Sequence, residues 1–247
     1  MIDPKTVIVT IPAYDGKLKT HCVGGLTASM GLFAGLGFIN GYAAVNQARN
    51  EIANNFLKSK FEHLVCIDSD IGFTRQDLEY LLEGDEEAVC AEYARKVDTE
   101  DPNNFVKPGN AEFGLGFARI HRGVFERIAD KKRDTGEDYC SRYFRAGELA
   151  IDFYPTGAAF DGSWFGEDHG FWHLARLVDA TVRVERRTRL VHYGRKCWQY
   201  NPELSTPAGA WFGTPAERTL PDLQGEPANA ETTGNDGPEK LPEQSGG

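Results

Sequence analysis

Apolar residues are arranged in two different patterns along residues 5–200, and segments with the two patterns alternate. Short apolar runs that end at a proline or a polar cluster predict buried strands, whereas apolar residues recurring every three or four positions predict amphipathic helices. Strands are predicted at residues 7–11, 63–67, 88–91, 115–120, 151–154, 181–185 and 189–192. Helices are predicted along Ala44, Ala48, Ile52 and Phe56, after Thr74 along Leu78, Leu81 and Leu82, and at residues 124–129 and 171–178. This alternation favours an α/β fold.

Two features near the start of the chain bear on the first elements. Pro12 follows the first apolar run and should end that strand at Ile11. Glycines recur between Gly24 and Gly41, but not with the GxGxxG spacing after a strand that marks a dinucleotide-binding turn. We expect this glycine-rich stretch to be a mobile loop.

The composition changes after residue 200. Prolines then alternate with Gly, Glu, Asn and Thr, and regularly spaced apolar residues stop after Trp211 and Phe212. We predict one domain over residues 1–200, followed over residues 201–247 by a Pro/Gly-rich acidic tail that is mostly disordered after about residue 215.

Charge and cysteine content limit the classes of protein that remain. The chain has 27 Lys and Arg against 37 Asp and Glu, a net charge of -10, so general attraction to nucleic acid or anionic lipid is not the default expectation. No apolar stretch reaches the roughly 18 residues of a membrane helix, and residues 1–5 do not resemble a signal peptide. We expect a cytoplasmic protein of a bacterium or phage-infected cell, without a membrane partner.

The five cysteines of the chain form no CxxC pair, which predicts reduced thiols.

The strand at residues 63–67 is followed directly by two carboxylates, Asp68 and Asp70. Ligands of open α/β sheets collect at the carboxyl ends of strands, and carboxylates are the hard oxygen ligands that Mg²⁺ or Mn²⁺ takes. The alternative is that one of these acids caps the helix that begins near Thr74.

Two further segments carry candidate chemistry. Glu167 and Asp168 open the helix at residues 171–178, where ordinary N-terminal capping is the alternative interpretation. His192 closes the last predicted strand, and a lone histidine in that position is more often structural than a ligand.

Taken together, the segments resemble nucleotide-sugar glycosyltransferases of the GT-A fold, particularly the family 2-like enzymes and their short phage-encoded relatives. The resemblance covers roughly residues 6–196. It is carried by Thr10–Tyr14, Ala48–Asn50, Asp68–Asp70, Ala94–Lys96, Gly114–Phe117, Gly166–Asp168 and His192–Gly194, in that order. Each segment alone is common, but the ordered set is specific. The resemblance implies a single GT-A-like, Rossmann-like domain with a mixed, mainly parallel central sheet flanked by helices.

The same resemblance implies roles for individual residues. The donor would be a nucleoside-diphosphate sugar, with a UDP-sugar expected, and the cofactor Mn²⁺ or Mg²⁺. The residues implied in donor binding are Pro12, Ala13, Tyr14, Asp15, Arg49, Asp68 and Lys96. The metal would be held by Asp70 and His192, with Asp68. Asp168 would be the general base of an inverting transfer, partly desolvated and with a raised pKa. The residues implied at the acceptor are Gly116, Trp164, Glu167 and Trp172.

Basic and aromatic residues bear on the acceptor. Two basic runs are present, Arg183, Arg186, Arg187, Arg189, Arg195 and Lys196, and Arg119, His121, Arg122 and Arg127. They are solvated faces with diphosphate contacts, or else a surface for a polyanion. In size and motif order the chain is similar to phage enzymes that glycosylate hydroxymethylated pyrimidines in DNA, which implies a flipped acceptor base. Candidate stacking surfaces are Trp164, Phe165, Trp172, Trp198 and Tyr200.

Two other classes of function remain open from the sequence. One is a metal-dependent phosphoester hydrolase that uses Asp68, Asp70, Asp168 and His192 around one or two ions. The other is a noncatalytic module that binds a nucleotide sugar or a nucleic acid. A binding module has no need of a base at Asp168, so the acids at both motifs favour an enzyme.

Overall fold

A computed structural model of the chain describes residues 1–94, 114–158 and 164–194, and the backbone of residues 197–199. The helices are α1 (Thr20–Ala28), α2 (Val45–Lys58), α3 (Arg75–Leu81), α4 (Arg122–Asp130) and α5 (Glu167–Leu177), after a short 3₁₀ helix at Pro4–Thr6. The strands are β1 (Val7–Ala13), β2 (Gly35–Asn40), β3 (His63–Ile67), β4 (Ile71–Gly72), β5 (Ala88–Ala91), β6 (Phe117–His121), β7 (Arg142–Arg145), β8 (Glu148–Ile151), β9 (Gly157–Ala158), β10 (Trp164–Phe165), β11 (Val182–Glu185), β12 (Val191–Tyr193) and β13 (Cys197–Gln199). The predicted tail lies outside these residues.

Six strands form the central sheet, in the order β2-β1-β3-β6-β5-β11. Five of them run parallel, and β6 alone runs antiparallel between β3 and β5. The predicted mixed, mainly parallel sheet flanked by helices is therefore confirmed. Since β1 and β3 are parallel neighbours, with Thr10 opposite Cys66, their carboxyl ends meet at one edge of the sheet.

The sheet is covered on both faces, which explains why its strands are apolar on both sides. One layer of the core joins β3 to α2, α4 and α5 through residues such as Cys66, Phe56, Phe125 and Phe171. The other layer joins the opposite face to α1 and α3, and there Cys22 packs among the buried side chains. The four cysteines whose side chains the structure describes, Cys22, Cys66, Cys90 and Cys140, are all buried free thiols.

The first strand is longer than predicted. Pro12 does not end β1, which continues to Ala13, with Pro12 opposite Ile39 of β2. Pairing of β1 with β3 ends at Thr10, so one side of the strand at Pro12 carries no ladder. The missing N–H of proline is tolerated at such a position.

The expected mobile loop between Gly24 and Gly41 is wrong, because this stretch contains the second half of α1 and all of β2. Two of its glycines lie where there is no room for a side chain. A Cβ on Gly25 would lie 2.6 Å from the carbonyl oxygen of Phe73, and a Cβ on Gly35 would lie 2.6 Å from the ring of Phe61. These glycines serve close packing of backbone against neighbouring elements.

Smaller differences concern the second half of the chain. The strand predicted at residues 151–154 is β8, which ends at Ile151 and pairs with β7 in a hairpin. Its turn uses Ala146 and Gly147, at φ 48° and 84°, the left-handed geometry of a tight hairpin. In the described part of the chain, no helix is long and apolar enough to cross a membrane.

Candidate active site

An open cleft of about 260 Å³ lies at the carboxyl ends of β1 and β3. Three of the predicted donor-binding residues, Pro12, Ala13 and Tyr14, line one wall, and Asp68 and Asp70 line another. A third wall, most of which the sequence did not indicate, is formed by the end of β2, the connection to α2 and the start of α2, through Ile39, Tyr42, Ala43, Val45 and Ala48. It was missed because the preceding stretch was predicted to be a loop, whereas β2 places it beside β1.

Asp68 and Asp70 lie on a turn whose backbone is held by the protein. The Asp68 N–H donates to the carbonyl oxygen of Gly116 at 2.8 Å, and the Lys19 N–H donates to that of Ser69 at 2.9 Å. Helix α3 has its own capping box, formed by Thr74 and Asp77. The alternative that Asp68 or Asp70 caps this helix is therefore wrong.

His192 is brought to Asp70 by strand pairing. β12 runs antiparallel to β4, with His192 opposite Ile71, and the Tyr193 N–H donates to the Asp70 carbonyl oxygen at 2.8 Å. The Nε2 atom of His192 lies 3.5 Å from Oδ1 of Asp70. Its Nδ1 atom lies 2.8 Å from the carbonyl oxygen of Ala94.

These contacts fit a divalent cation held by Asp70 and His192. A carbonyl oxygen can only accept, so the bond to Ala94 places a proton on Nδ1 and leaves Nε2 facing the Asp70 carboxylate. This is the orientation of a metal-binding histidine. Among the described residues, no group of three or more His, Cys, Asp or Glu side chains surrounds a common point. Mg²⁺ and Mn²⁺ commonly take the rest of their ligands from water and substrate phosphate.

Arg49 is the buried positive charge beneath the cleft. The side chain is 2% exposed, and its Nη2 atom donates to Oδ1 of Asp68 at 3.0 Å. Its Nη1 atom donates to the carbonyl oxygen of Leu115, and its Nε atom lies 3.6 Å from Oε1 of Glu167. The contacts of Arg49 in the structure are thus with the protein's own acids and backbone, and its donor-binding role stays a prediction.

Asp168 occupies the first turn of α5. The N-cap is Gly166 and makes no side-chain bond, so neither Glu167 nor Asp168 is the cap of this helix. Burial raises the pKa of Asp168 to about 7, helped by the charges of Glu167 and Asp68 and opposed by Arg49. Its Oδ1 atom is shielded from solvent and has no hydrogen-bond partner among the described residues. The expected raised pKa is confirmed, and the role of Asp168 as base stays a prediction.

The other predicted residues are spread around this centre. Gly116 lies against Asp68, because a Cβ on it would be 2.7 Å from Oδ2 of Asp68. Trp164 is 73% exposed just before α5, whereas Trp172 is 2% exposed in the core against Phe171, so it offers no surface to an acceptor. Asp15 is exposed and pairs with a neighbouring lysine. Lys96 lies outside the described residues, as do Tyr200 and the side chain of Trp198.

The arginines of the two basic runs are mostly engaged by the protein itself. Arg183 pairs with Glu86 and Glu185, Arg186 with Glu92, Arg187 with Glu83 and Glu185, and Arg127 with Glu87. Arg119 is buried and donates to the Leu81 carbonyl oxygen, and Arg122 donates to four carbonyl oxygens that follow or end α2. Arg127, Arg187 and Arg189 are nevertheless exposed, as expected of a solvated face, and a polyanion surface stays a prediction. Arg195 and Lys196 are outside the described residues.

Comparison with known proteins gives similarity of fold only. No protein-family model and no curated protein sequence matches the chain. Among solved structures, the chain is similar to A197 from STIV, at 17% identity and a TM-score of 0.46, over 79% of this chain and 94% of that one. It is also similar to the catalytic domain of Drosophila β1,4-galactosyltransferase 7, solved with xylobiose, at 14% identity and a TM-score of 0.44, over 74% of this chain and 66% of that one.

Proposed function

We propose that the chain is a glycosyltransferase that moves a sugar from a nucleoside-diphosphate donor to an acceptor hydroxyl with inversion. One observation carries the proposal: two carboxylates line the cleft, a third lies buried near Asp68, and the three are in different electrostatic settings. Asp68 is paired with the buried Arg49, Asp70 faces the Nε2 atom of His192, and Asp168 is desolvated with a pKa near 7. Separate settings of this kind suit separate tasks in one reaction.

The donor half of the reaction is assigned to the cleft walls. Pro12, Ala13, Tyr14 and Tyr42 offer a surface of aromatic rings and short side chains to the base and ribose. The diphosphate would then lie towards Asp70. A divalent cation held by Asp70 and His192 would supply positive charge to the departing diphosphate.

Asp168 is assigned to the acceptor half. The acceptor oxygen forms a bond to the anomeric carbon, the bond from that carbon to the donor phosphate oxygen breaks, and the acceptor proton passes to Asp168. A carboxylate with a pKa near 7 takes a proton effectively at neutral pH. A direct displacement with one base and no covalent sugar intermediate inverts the anomeric configuration, since it consists of one attack.

Thermal unfolding with a panel of ligands tests the donor and the metal. A ligand that binds only the native state raises the midpoint by mass action. We expect a rise that requires both one nucleoside diphosphate, with UDP expected, and Mn²⁺ or Mg²⁺. A rise with metal alone, accompanied by release of phosphate from esters without any sugar donor, would instead establish the hydrolase.

Three variants separate the proposed roles. Asp70→Asn and His192→Ala should reduce the metal-dependent rise, whereas Asp168→Asn should keep that rise and abolish sugar transfer. Unchanged metal dependence in the first two would remove them from the metal site, and normal transfer by the third would remove it as base.

The acceptor is tested with compounds of one chemistry in two contexts. We propose the hydroxyl of a hydroxymethylated pyrimidine, supplied both in duplex DNA and as the free nucleoside. Transfer to the DNA alone supports a flipped base. Transfer to the nucleoside alone, or to neither, would exclude DNA as the acceptor.

A further inference from the structure

Three consecutive residues, Gly114, Leu115 and Gly116, make backbone contacts with charged residues of the candidate site. The Leu115 carbonyl oxygen accepts from Arg49 at 3.3 Å, and the Gly116 carbonyl oxygen accepts from the Asp68 N–H at 2.8 Å. The Leu115 backbone also lies near Asp168 and acts to lower the pKa of its carboxyl, against the larger effect of burial. The tripeptide therefore joins Arg49 to Asp68 through two backbone bonds and lies beside Asp168.

Tyr93 is inserted into this tripeptide. The Gly116 N–H donates to the Tyr93 hydroxyl oxygen at 3.2 Å. A Cβ on Gly114 would lie 2.1 Å from that oxygen and 2.5 Å from Cζ, and a Cβ on Gly116 would lie 2.7 Å from the same oxygen. Both glycines are thus needed to admit the phenol, which explains a glycine-leucine-glycine sequence that the catalytic roles leave unexplained.

The ring of Tyr93 also reaches the other side of the site. It meets the ring of His192 edge to face, with centroids 5.3 Å apart and planes at 89°. The next residue, Ala94, supplies the carbonyl oxygen that fixes the His192 tautomer. Burial and the charges of Asp68 and Asp168 raise the pKa of Tyr93 well above its usual range, so the phenol stays neutral between them.

We infer that Tyr93 is a positioning residue for the transfer reaction: its phenol fixes the Gly114–Gly116 tripeptide, which binds Arg49 and Asp68 and lies beside Asp168. The inference rests on the proposed function. Nothing in the reaction touches Tyr93 itself, and its effect passes through the tripeptide. Loss of the hydroxyl should loosen the alignment of the base with the reacting carbon, to which turnover is sensitive.

The first experiment compares Tyr93→Phe with the matched control Tyr139→Phe. The Tyr139 hydroxyl makes a contact of 3.4 Å to Nε2 of His173, away from the cleft, so the control removes a similar bond. For Tyr93→Phe we expect kcat to fall at least tenfold while the donor KM changes less than threefold, because the cleft walls belong to other elements. The control should keep both constants. A kcat within twofold of the unchanged protein would overturn the inference.

The second experiment needs no activity. Urea unfolding is measured for Gly114→Ala, Tyr93→Ala and the two together. If the phenol fills the space at Gly114, adding a methyl group there should be strongly destabilising with Tyr93 present and nearly neutral without it. If the losses of unfolding free energy in the two single variants simply add up in the double variant, the inferred packing of Tyr93 against Gly114 is overturned. Absence of transfer by the unchanged protein would overturn the proposed function and with it the positioning role. The non-additivity of the two substitutions in urea unfolding would still show whether Tyr93 packs against Gly114.

Discussion

At the scale of single residues, the candidate site depends on one buried cation shared by three acids. Arg49 lies beneath Asp68, Glu167 and Asp168, and its side chain is only 2% exposed. A buried charge persists when it is paired and hydrogen bonded, and Arg49 meets that condition through two carboxylates and the Leu115 carbonyl oxygen. The charge of Arg49 also acts on Asp168 and lowers its pKa, but burial of the carboxyl raises the pKa by more, so the pKa is raised overall.

The raised pKa of Asp168 predicts the pH dependence of turnover. A base must be deprotonated to accept the acceptor proton, so kcat/KM should fall about tenfold per pH unit below a pKa near 7 and level off above it. The measurement is the pH profile of kcat/KM with saturating metal. A profile that is flat from pH 5 to 8 would exclude Asp168 as the base.

The same group predicts a pH-dependent effect on stability. A carboxyl whose folded pKa lies above its unfolded value near 3.8 favours the folded state at low pH, and this contribution is lost as the pH rises through about 7. Asp168→Asn removes the charge but keeps the shape. It should therefore raise the unfolding midpoint at pH 8, by roughly 2–4 °C for each kcal/mol in a chain of this size, and have little effect at pH 4. Equal shifts at both pH values would contradict this linkage.

At the scale of elements, glycines decide how closely α1 approaches the turn before α3. Gly24 and Gly25 are neighbours in α1, but only Gly25 faces the Phe73 backbone at a distance that excludes a Cβ. Nothing lies within 4 Å of a Cβ placed on Gly24. The two positions therefore form a matched pair within one helix.

Alanine at these two positions should have opposite effects. Gly25→Ala should destabilise the fold by about 1–3 kcal/mol, because Phe73 and α1 must move apart. Gly24→Ala should be neutral or stabilising by up to about 1 kcal/mol, because alanine favours a helix. Urea unfolding of both variants measures the difference, and equal effects would show that the close approach to Phe73 does not limit the packing.

These elements also show what a sequence can and cannot predict. The strands at residues 63–67 and 88–91 were predicted to the residue, because their apolar runs are bounded by polar residues on both sides. Helix α1 and strand β2 were missed, because glycine that serves tight packing has the same local composition as glycine in a loop. Asp68, Asp70 and His192 are indicated by motifs next to strands, whereas Tyr93 accepts a hydrogen bond from Gly116, a contact that no local pattern indicates.

At the scale of the whole molecule, the arginines of the basic runs mainly connect elements of the fold to one another. Arg122 binds carbonyl oxygens at the end of α2, Arg119 binds the carbonyl oxygen of Leu81 at the end of α3, and Arg183 of the edge strand β11 pairs with Glu86. Cations near helix carboxyl ends are favoured by the helix dipole. Among the described residues, most arginines of the two basic runs therefore pair with acids or carbonyl oxygens of the chain itself.

The buried thiols allow local unfolding of the protein to be measured by chemical labelling. Burial raises the pKa of Cys22 to about 12 and that of Cys66 to about 11, so neither thiol reacts with an alkylating reagent until the fold opens around it. In a Cys197→Ser background, the rate of iodoacetamide labelling should therefore follow local or global unfolding. Cys22 lies beneath the Asp68 turn, with its Sγ atom 4.0 Å from the Asp68 carbonyl oxygen.

A donor bound in the cleft should slow the labelling of Cys22 more than that of Cys140, which packs against α4 instead. Mass spectrometry of the labelled peptides separates the two rates. Rapid labelling of both thiols under native conditions would mean that the core opens readily. The order in which the thiols react would then read out which part of the sheet loosens first, without any added probe.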